Sequence, residues 1–307
     1  MERPKVIVLI LSYNGKDLLD EAIESYLNND YENFEVVVID NGSSDGTKSY
    51  VNEKWPEVIV LRTERNLGYS GGFNLGMNYA FNQQHSDYVL ITNNDVRADK
   101  RVIAELIKVA LTNQMIGFVT GKVYYYDQPK ILQTTGKFGD ERYWRGEHRG
   151  NKEKDIGQYD KIEKLEWCDD IFWLVSKEVY NKTGGYDEEF QFQAEDFDWQ
   201  ARAKNAGYFL YYAPKAKIWH KDSFTIGKSS PFKLYFDSRN PLIVHIKHRK
   251  AYQVRTLIHR TIKTNVILSI RYLIKLKFKY LLAIWCGFFS AVKWGLINKK
   301  LTIKHFI

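Results

Sequence analysis

The first hundred residues alternate between short apolar runs and amphipathic stretches, and this alternation constrains the fold more than any other feature. KVIVLIL, FEVVVID, EVIVLR and DYVLITNND read as strands. Between them, KDLLDEAIESYLNN, a stretch from about Thr47, and GGFNLGMNYAFNQ read as helices. Strands that are apolar without interruption are buried on both faces. Their alternation with helices predicts an α/β fold with a mostly parallel central sheet and helices on both sides. In such sheets ligands bind beyond the carboxyl ends of the strands.

Polar residues gather at those ends. The first strand ends in Ser12, Tyr13 and Asn14, the second in Asp40 and Asn41. The third leads to Arg65 and Asn66, and the fourth ends in Asn93, Asn94 and Asp95. Either aspartate alone is equally at home as a helix or turn cap; polar groups at four neighbouring strand ends together point to a site. Further along, Gly121 to Leu165 is rich in turn residues, charges and aromatics and reads as an irregular lobe. A short strand, a helix, a Gly-Gly turn, an acidic loop, a helix from about Glu195 to Asn205 and a strand ending near His220 follow.

In order, LSYNG, VVIDNGSSDGT, RNLGYSGGFNLG, ITNNDV, GGYDEEFQFQAEDFDWQAR, WH and YFDSRN cover roughly residues 5 to 240. Through these pieces the chain resembles glycosyltransferase family 2, and within it the rhamnosyltransferase-like members. The resemblance implies a GT-A fold, a nucleotide-diphosphate sugar donor and inversion at the anomeric carbon. It places the catalytic domain at residues 1–240, with a nucleotide-binding half (1–120) and an acceptor half (121–240), followed by a basic helical tail (241–307).

Displacing a nucleoside diphosphate builds negative charge on the leaving group, which Mg²⁺ or Mn²⁺ offsets. The family's acidic metal motif falls on Asn93-Asn94-Asp95, where only the last position is acidic, so Asp95 and His220 are the metal candidates. Ser12, Tyr13, Asp40, Arg65, Asn66, Gly71 and Asn94 are the nucleotide-binding candidates. The glycines of RNLGYSGGFNLG permit close backbone approach before a helix N-terminus, or simply shape a turn. The family's ED pair falls on Glu195-Asp196. By that analogy Asp196 is the base that takes the acceptor proton and Glu195 orients substrate; a helix cap is the plainer reading of the cluster. Asp198 reads as structural. Asp169, Asp170 and Trp173 are acceptor candidates, although a strand edge explains the two acids as well and Trp173, with Tyr186 and Trp199, suits a core as much as a stacking platform. Arg239 and Asn240 match the family's late RN pair and are expected near the diphosphate.

Composition adds a location. From Ser238 onward there are 15 Lys and Arg and no acids, against 30 basic and 37 acidic residues before it. The basic residues are interleaved with aromatic and aliphatic ones, which suits an anionic membrane surface better than nucleic acid. The run Leu281 to Val292 is twelve uncharged residues, short of a span; a helical cover on the body is the alternative. Two distant cysteines, Cys168 and Cys286, and the absence of a signal-peptide pattern at MERPKVIVLILSYNG predict a cytoplasmic protein, peripheral at the inner face of the membrane. GYSGG fits the esterase G-x-S-x-G pattern but not its strand-to-helix elbow, and there is no Walker A sequence or G-x-G-x-x-G turn after the first strand. The expected partners are a dTDP- or UDP-linked sugar and a glycan or polyprenyl-linked acceptor. A non-catalytic sugar-nucleotide or glycan-binding protein at the membrane is the alternative.

Overall fold

The computed structural model describes residues 3–138, 147–221 and 230–301, with residue 147 by its backbone alone. In chain order the elements are β1 (Val6–Ser12), α1 (Leu19–Leu27), β2 (Phe34–Asp40), α2 (Thr47–Lys54), β3 (Ile59–Arg62), α3 (Gly68–Asn78), β4 (Tyr88–Thr92), β5 (Val96–Ala98), α4 (Val102–Ala110), β6 (Ile116–Tyr125), β7 (Gln128–Thr134), β8 (Lys137–Phe138), β9 (Glu147–His148), β10 (Glu163–Lys164), β11 (Phe172–Ser176), α5 (Lys177–Thr183), α6 (Glu195–Asn205), β12 (Phe209–His220), α7 (Pro231–His248), α8 (Ala251–Ile274) and α9 (Phe278–Ile297).

The main sheet runs β10-β12-β6-β11-β4-β1-β2-β3. Its β3-β2-β1-β4 half is parallel throughout. Side chains alternate across it, so each apolar strand feeds two cores. Val6, Val8, Ile10, Val36 and Val38 pack with α1 and α4; Ile7, Leu9, Val37 and Ile39 pack with Phe73 and Met77 of α3. Burying each such side chain is worth about 1.5–3 kcal/mol, which is why the middle of each strand is apolar. The other half is mixed: β11 is antiparallel to both β4 and β6, whereas β12 is parallel to β6. The stretch read as an irregular lobe is ordered in part, because β6 and β7 form an antiparallel pair with shifts in register that hide its periodicity.

The chain divides into two compact units. Within the described residues, the first holds 3–138, 147–191 and 199–221, and the second holds 192–198 and 230–301. The expected boundary at residue 240 therefore falls inside α7. Pro241 lies inside that helix, which starts ten residues earlier, where the Ser230 side chain accepts from the Lys233 N–H and Pro231 occupies its first turn. In the second unit α9 packs on α7 through Gly287; a Cβ there would lie 2.2 Å from the Tyr235 carbonyl. α9 is longer than its uncharged stretch suggested and, among the described helices, is the one long and apolar enough to cross a membrane by length and composition. Both cysteines are free.

Two features of the first unit predict stability effects. Gly121 on β6 faces β12, and a Cβ would come within 2.2 Å of the Ala216 carbonyl oxygen. Gly121→Ala is expected to lower the unfolding free energy by about 1–3 kcal/mol in chemical denaturation. Asp169 is buried, and its carboxylate accepts from Lys137 Nζ (2.6 Å), His148 Nδ1 (2.9 Å) and the Thr134 hydroxyl. Burial works to raise its carboxyl, but the Lys137 charge and the His148 hydrogen bond and charge outweigh that and hold it well below the usual aspartate range. Asp169→Asn strands these cations and is expected to cost about 3–5 kcal/mol at neutral pH. A lowered carboxyl stabilises fully above its unfolded value, about 3.9, and loses that stabilisation as pH falls. The gap between wild type and variant should therefore narrow below about pH 4.

Candidate active site

In the first unit the strand-end residues form one connected chain of contacts. Parallel register sets Ser12 beside Asp40 and Asp40 beside Arg62. The Asp40 side chain is fully buried; it accepts from the Ser43 N–H (2.9 Å) and from the Arg62 guanidinium. Asp40 was expected to meet a base or ribose, and here Arg62 and Ser43 engage it. The Arg62 guanidinium is the cationic partner that the sequence reading missed: its only signal was a position at the end of β3. Arg65, the basic residue singled out, is exposed.

The β1 and β2 loops are stitched together. The Asn14 N–H donates to Ser43 Oγ (2.9 Å), and Asn14 Oδ1 accepts from the Ser44 N–H (2.8 Å). Asp45 accepts from the Lys16 N–H (3.0 Å) and from the Thr47 N–H (3.1 Å) and hydroxyl (2.5 Å). Burial pushes the Asp45 carboxyl up, but these bonds prevail and hold it below its ordinary value. Asn41, a strand-end residue, organises the next loop. Its amide donates to Asn66 Oδ1 (3.0 Å) and the Gly68 carbonyl (2.9 Å) and accepts from the Leu67 N–H (3.0 Å). Gly42 at φ +78° lets this loop approach, since a Cβ would sit 2.5 Å from Arg65. Gly71 meets its own loop: a Cβ would lie 2.8 Å from that of Leu67, so its observed role is packing.

Ser12 Oγ is buried without a hydrogen-bond partner, and the exposed Tyr13 ring follows it. A Cβ on Gly15 would come within 2.6 Å of Asn94 Nδ2 and 3.2 Å of Ser12 Oγ, so these three groups share one corner. The next residues reach the histidine. β5 pairs antiparallel with the end of β12, setting Val96 against His220 and so bringing Asp95 alongside. Asp95 Oδ1 and His220 Nε2 are 3.2 Å apart, both side chains nearly buried. Asn93 Nδ2 lies 3.4 Å from the same nitrogen. Gln133 on β7 accepts from His220 Nδ1 at 2.9 Å. With Nδ1–H committed to Gln133, Nε2 and the Asp95 carboxylate meet through a proton or through a shared cation.

Among the described residues no group of three or more His, Cys, Asp or Glu is gathered for a metal. The Asp95–His220 pair is thus a two-ligand foothold. It fits Mg²⁺ or Mn²⁺, which complete their coordination with phosphate oxygens and water, and the imidazole suits Mn²⁺.

The acceptor candidates separate. Trp173 is wholly buried among Phe118, Tyr186 and Trp199, with ring centroids 4.9–6.3 Å away, so it is a core residue and its ring face meets no solvent. Asp169 is enclosed by its cations, whereas Asp170 is half-buried and its carbonyl accepts from the Tyr69 hydroxyl (3.2 Å). Glu195 and Asp196 are buried in the first turn of α6, in the second unit. Asp198 is fully buried there and accepts from Lys247 Nζ (2.5 Å) and His248 Nε2 (2.8 Å), a structural role.

Comparison with known proteins bears on the family and the fold. An N-acetylglucosaminyl-diphospho-decaprenol L-rhamnosyltransferase of Mycobacterium tuberculosis is 26% identical over 218 residues, 63% of this chain and 68% of its own length. A GalNAc(5)-diNAcBac-PP-undecaprenol beta-1,3-glucosyltransferase of Campylobacter jejuni is 25% identical over 234 residues, 76% of this chain and 71% of its own. Among solved structures, GalNAc-T7 with UDP, GalNAc and Mn²⁺ superposes with a TM-score of 0.61 at 17% identity, covering 80% of this chain and 48% of that one. The mannosyltransferase PcManGT of Pyrobaculum calidifontis, in complex with GDP-Man and Mn²⁺, gives 0.55 at 16% identity, covering 97% and 89%. These two likenesses bear on the fold, which is of the expected GT-A kind. The sequence model for Glycosyl transferase family 2 matches residues 7–183, and the chain belongs to that family as a rhamnosyltransferase-like glycosyltransferase.

Proposed function

We propose that the protein transfers a hexose, with rhamnose the leading choice, from a dTDP- or UDP-linked donor to a hydroxyl of a glycan or polyprenyl-linked acceptor, with inversion. The observation that carries this reading is the Asp95–His220 pair, its ring fixed by Gln133, at the strand-end edge that also holds the unpartnered Ser12 hydroxyl. The names of both relatives describe acceptors linked through diphosphate to a polyprenol, and one names a rhamnose donor group.

In this reading Asp95 and His220 hold Mg²⁺ or Mn²⁺. When bound, the ion offsets charge on the departing diphosphate. Ser12, Tyr13, Arg65, Asn66 and Asn94 receive the nucleoside diphosphate, Asp40 serves it by fixing Arg62 and the Ser43 N–H, and Gly71 keeps the loop of Arg65 and Asn66 closed on α3. Asp196 takes the proton of the acceptor hydroxyl as that oxygen bonds to the anomeric carbon and the bond to the diphosphate oxygen breaks; Glu195 orients the acceptor. Asp170 is the acceptor-side carboxylate, half-buried where Asp169 and Trp173 are enclosed. A donor-binding protein without turnover is the second reading, favoured by Asn93 where the resemblance carries an acid.

The tail supports attachment to the cytoplasmic leaflet. Ile267, Ile270 and Ile274 recur at helical spacing on α8, and together with Leu276 and Phe278 they are exposed. Arg271, Lys275, Lys277 and Lys279 are interspersed among them. Exposed apolar side chains set among cations suit an anionic bilayer surface, with α9 held on α7 rather than spanning.

Release of nucleoside diphosphate from a donor panel with Mg²⁺ or Mn²⁺ tests the chemistry. Wild type should turn over one donor, chelation should stop it, and Asp196→Asn should lower kcat by about 10²–10⁴-fold. Donor binding without turnover by wild type would establish the second reading instead. For the tail, flotation with anionic vesicles should succeed where zwitterionic vesicles fail. Each Lys→Ala among Lys275, Lys277 and Lys279 should weaken binding by about fivefold, near 1 kcal/mol per charge; equal binding to both vesicle types would remove the membrane assignment.

A further inference from the structure

Within the second unit, the middle of α7 carries an asparagine whose side-chain amide is fully committed. Asn240 is wholly buried. Its Nδ2 donates to the carbonyls of Phe192 (2.7 Å) and Gln193 (2.9 Å), and its Oδ1 accepts from Arg239 Nη1 (2.7 Å). Both donor hydrogens are used on the protein's own backbone. That geometry replaces the expectation that Asn240 approaches a diphosphate.

The backbone it holds is unusual. Gln193 and Ala194 have φ of +65° and +67°, two consecutive left-handed residues that are not glycine. L-residues leave that region unless their surroundings hold them there. The next two residues are Glu195 and Asp196. Other contacts fix the same turn. The Gln193 side-chain amide donates to Asp237 and accepts from Lys233 Nζ (2.8 Å), both on α7. Lys247 and His248, at the end of α7, engage Asp198. α7 is in turn braced by α8 and α9. Asn265 donates to Ser238 Oγ (3.2 Å), and the Tyr235 hydroxyl and Arg239 Nε reach Ser290 Oγ at 3.0 and 3.2 Å.

We propose that Asn240 is a positioning residue for the ED carboxylates: its two hydrogen bonds hold residues 193 and 194 in the left-handed conformation that aims the first turn of α6. The basic tail is then the frame of the catalytic loop as well as a surface for the membrane. This rests on the reading of Asp196 as the proton acceptor. Released from the amide, the two residues relax toward negative φ and the start of α6 turns away, displacing the carboxylates without removing them. A displacement of about 1 Å at a reacting group is worth on the order of 10²-fold in rate.

The test is Asn240→Asp, which keeps the shape and the acceptor for Arg239 but loses both donors. Steady-state kinetics should show kcat reduced by about 10²-fold with the donor KM within about twofold, because the groups assigned to the donor lie in the first unit. Hydrogen exchange should show the amides of residues 194–198 losing about tenfold or more in protection while the strands of the first unit keep theirs. Where the added charge prevents folding, Asn240→Ala, neutral and smaller, is read in the same way. Wild-type kcat in a folded variant, wild-type protection across residues 194–198, or an equal loss of protection throughout the chain would each overturn the proposal. Lack of turnover in wild type would instead overturn the proposed function, and the exchange measurement would still decide on the clamp.

Discussion

Parallel pairing of β3, β2, β1 and β4 is the constraint on which the site depends. Once four strands run the same way, their carboxyl ends lie along one edge, and residues far apart in sequence become neighbours through register alone. Ser12 stands beside Asp40 and Asp40 beside Arg62 because backbone hydrogen bonds put them there. The two-sided apolar core makes that register costly to change, since a slip of one residue would exchange the faces buried by α1 and α3. Polar groups concentrate at the strand ends because those are the places where the sheet leaves them room.

The antiparallel half completes the edge. β5 turns back against the end of β12, so Asp95 meets His220, which comes 125 residues later, and β7 brings Gln133 to the other ring nitrogen. A histidine held on one nitrogen by a carbonyl keeps the other fixed beside a carboxylate, an arrangement that a flexible side chain would not maintain. The buried Asp169 cluster ties β8 and β9 to the segment before β11, so charge in the first unit is used for architecture as well as for chemistry. Pairing Asp169 with Lys137 and His148 is what allows it to remain ionised in the interior.

The second unit uses hydrogen bonding where the first uses register. A short loop with two left-handed residues is held by side chains of one helix, Asn240 on its carbonyls and Asp237 and Lys233 on the Gln193 amide. The helix is held by small residues and polar contacts on its neighbours: Gly287 and Ser290 on α9, and Asn265 on α8. Close approach of α9 requires the absence of a side chain at Gly287, so the composition of an apolar helix bears on the loop before α6, two elements away.

Much of this was legible from the residues in order. Apolar runs of strand length gave β1, β2 and β4 because burial on both faces leaves a continuous pattern, and α6 was legible over Glu195 to Asn205 from its acidic start. The strand ends named Ser12, Asp40, Asn94 and Asp95 for the same reason. What the order of residues does not contain is pairing between segments. Arg62 as the partner of Asp40, Gln133 behind His220, the enclosure of Trp173 and Asp169, the ordered β6–β7 pair and the run of α7 across residue 240 all follow from which surfaces meet. Local patterning determines which faces must be buried and where polar groups gather; only the packed structure decides which polar group satisfies which, because that depends on distances between residues that the chain itself leaves far apart.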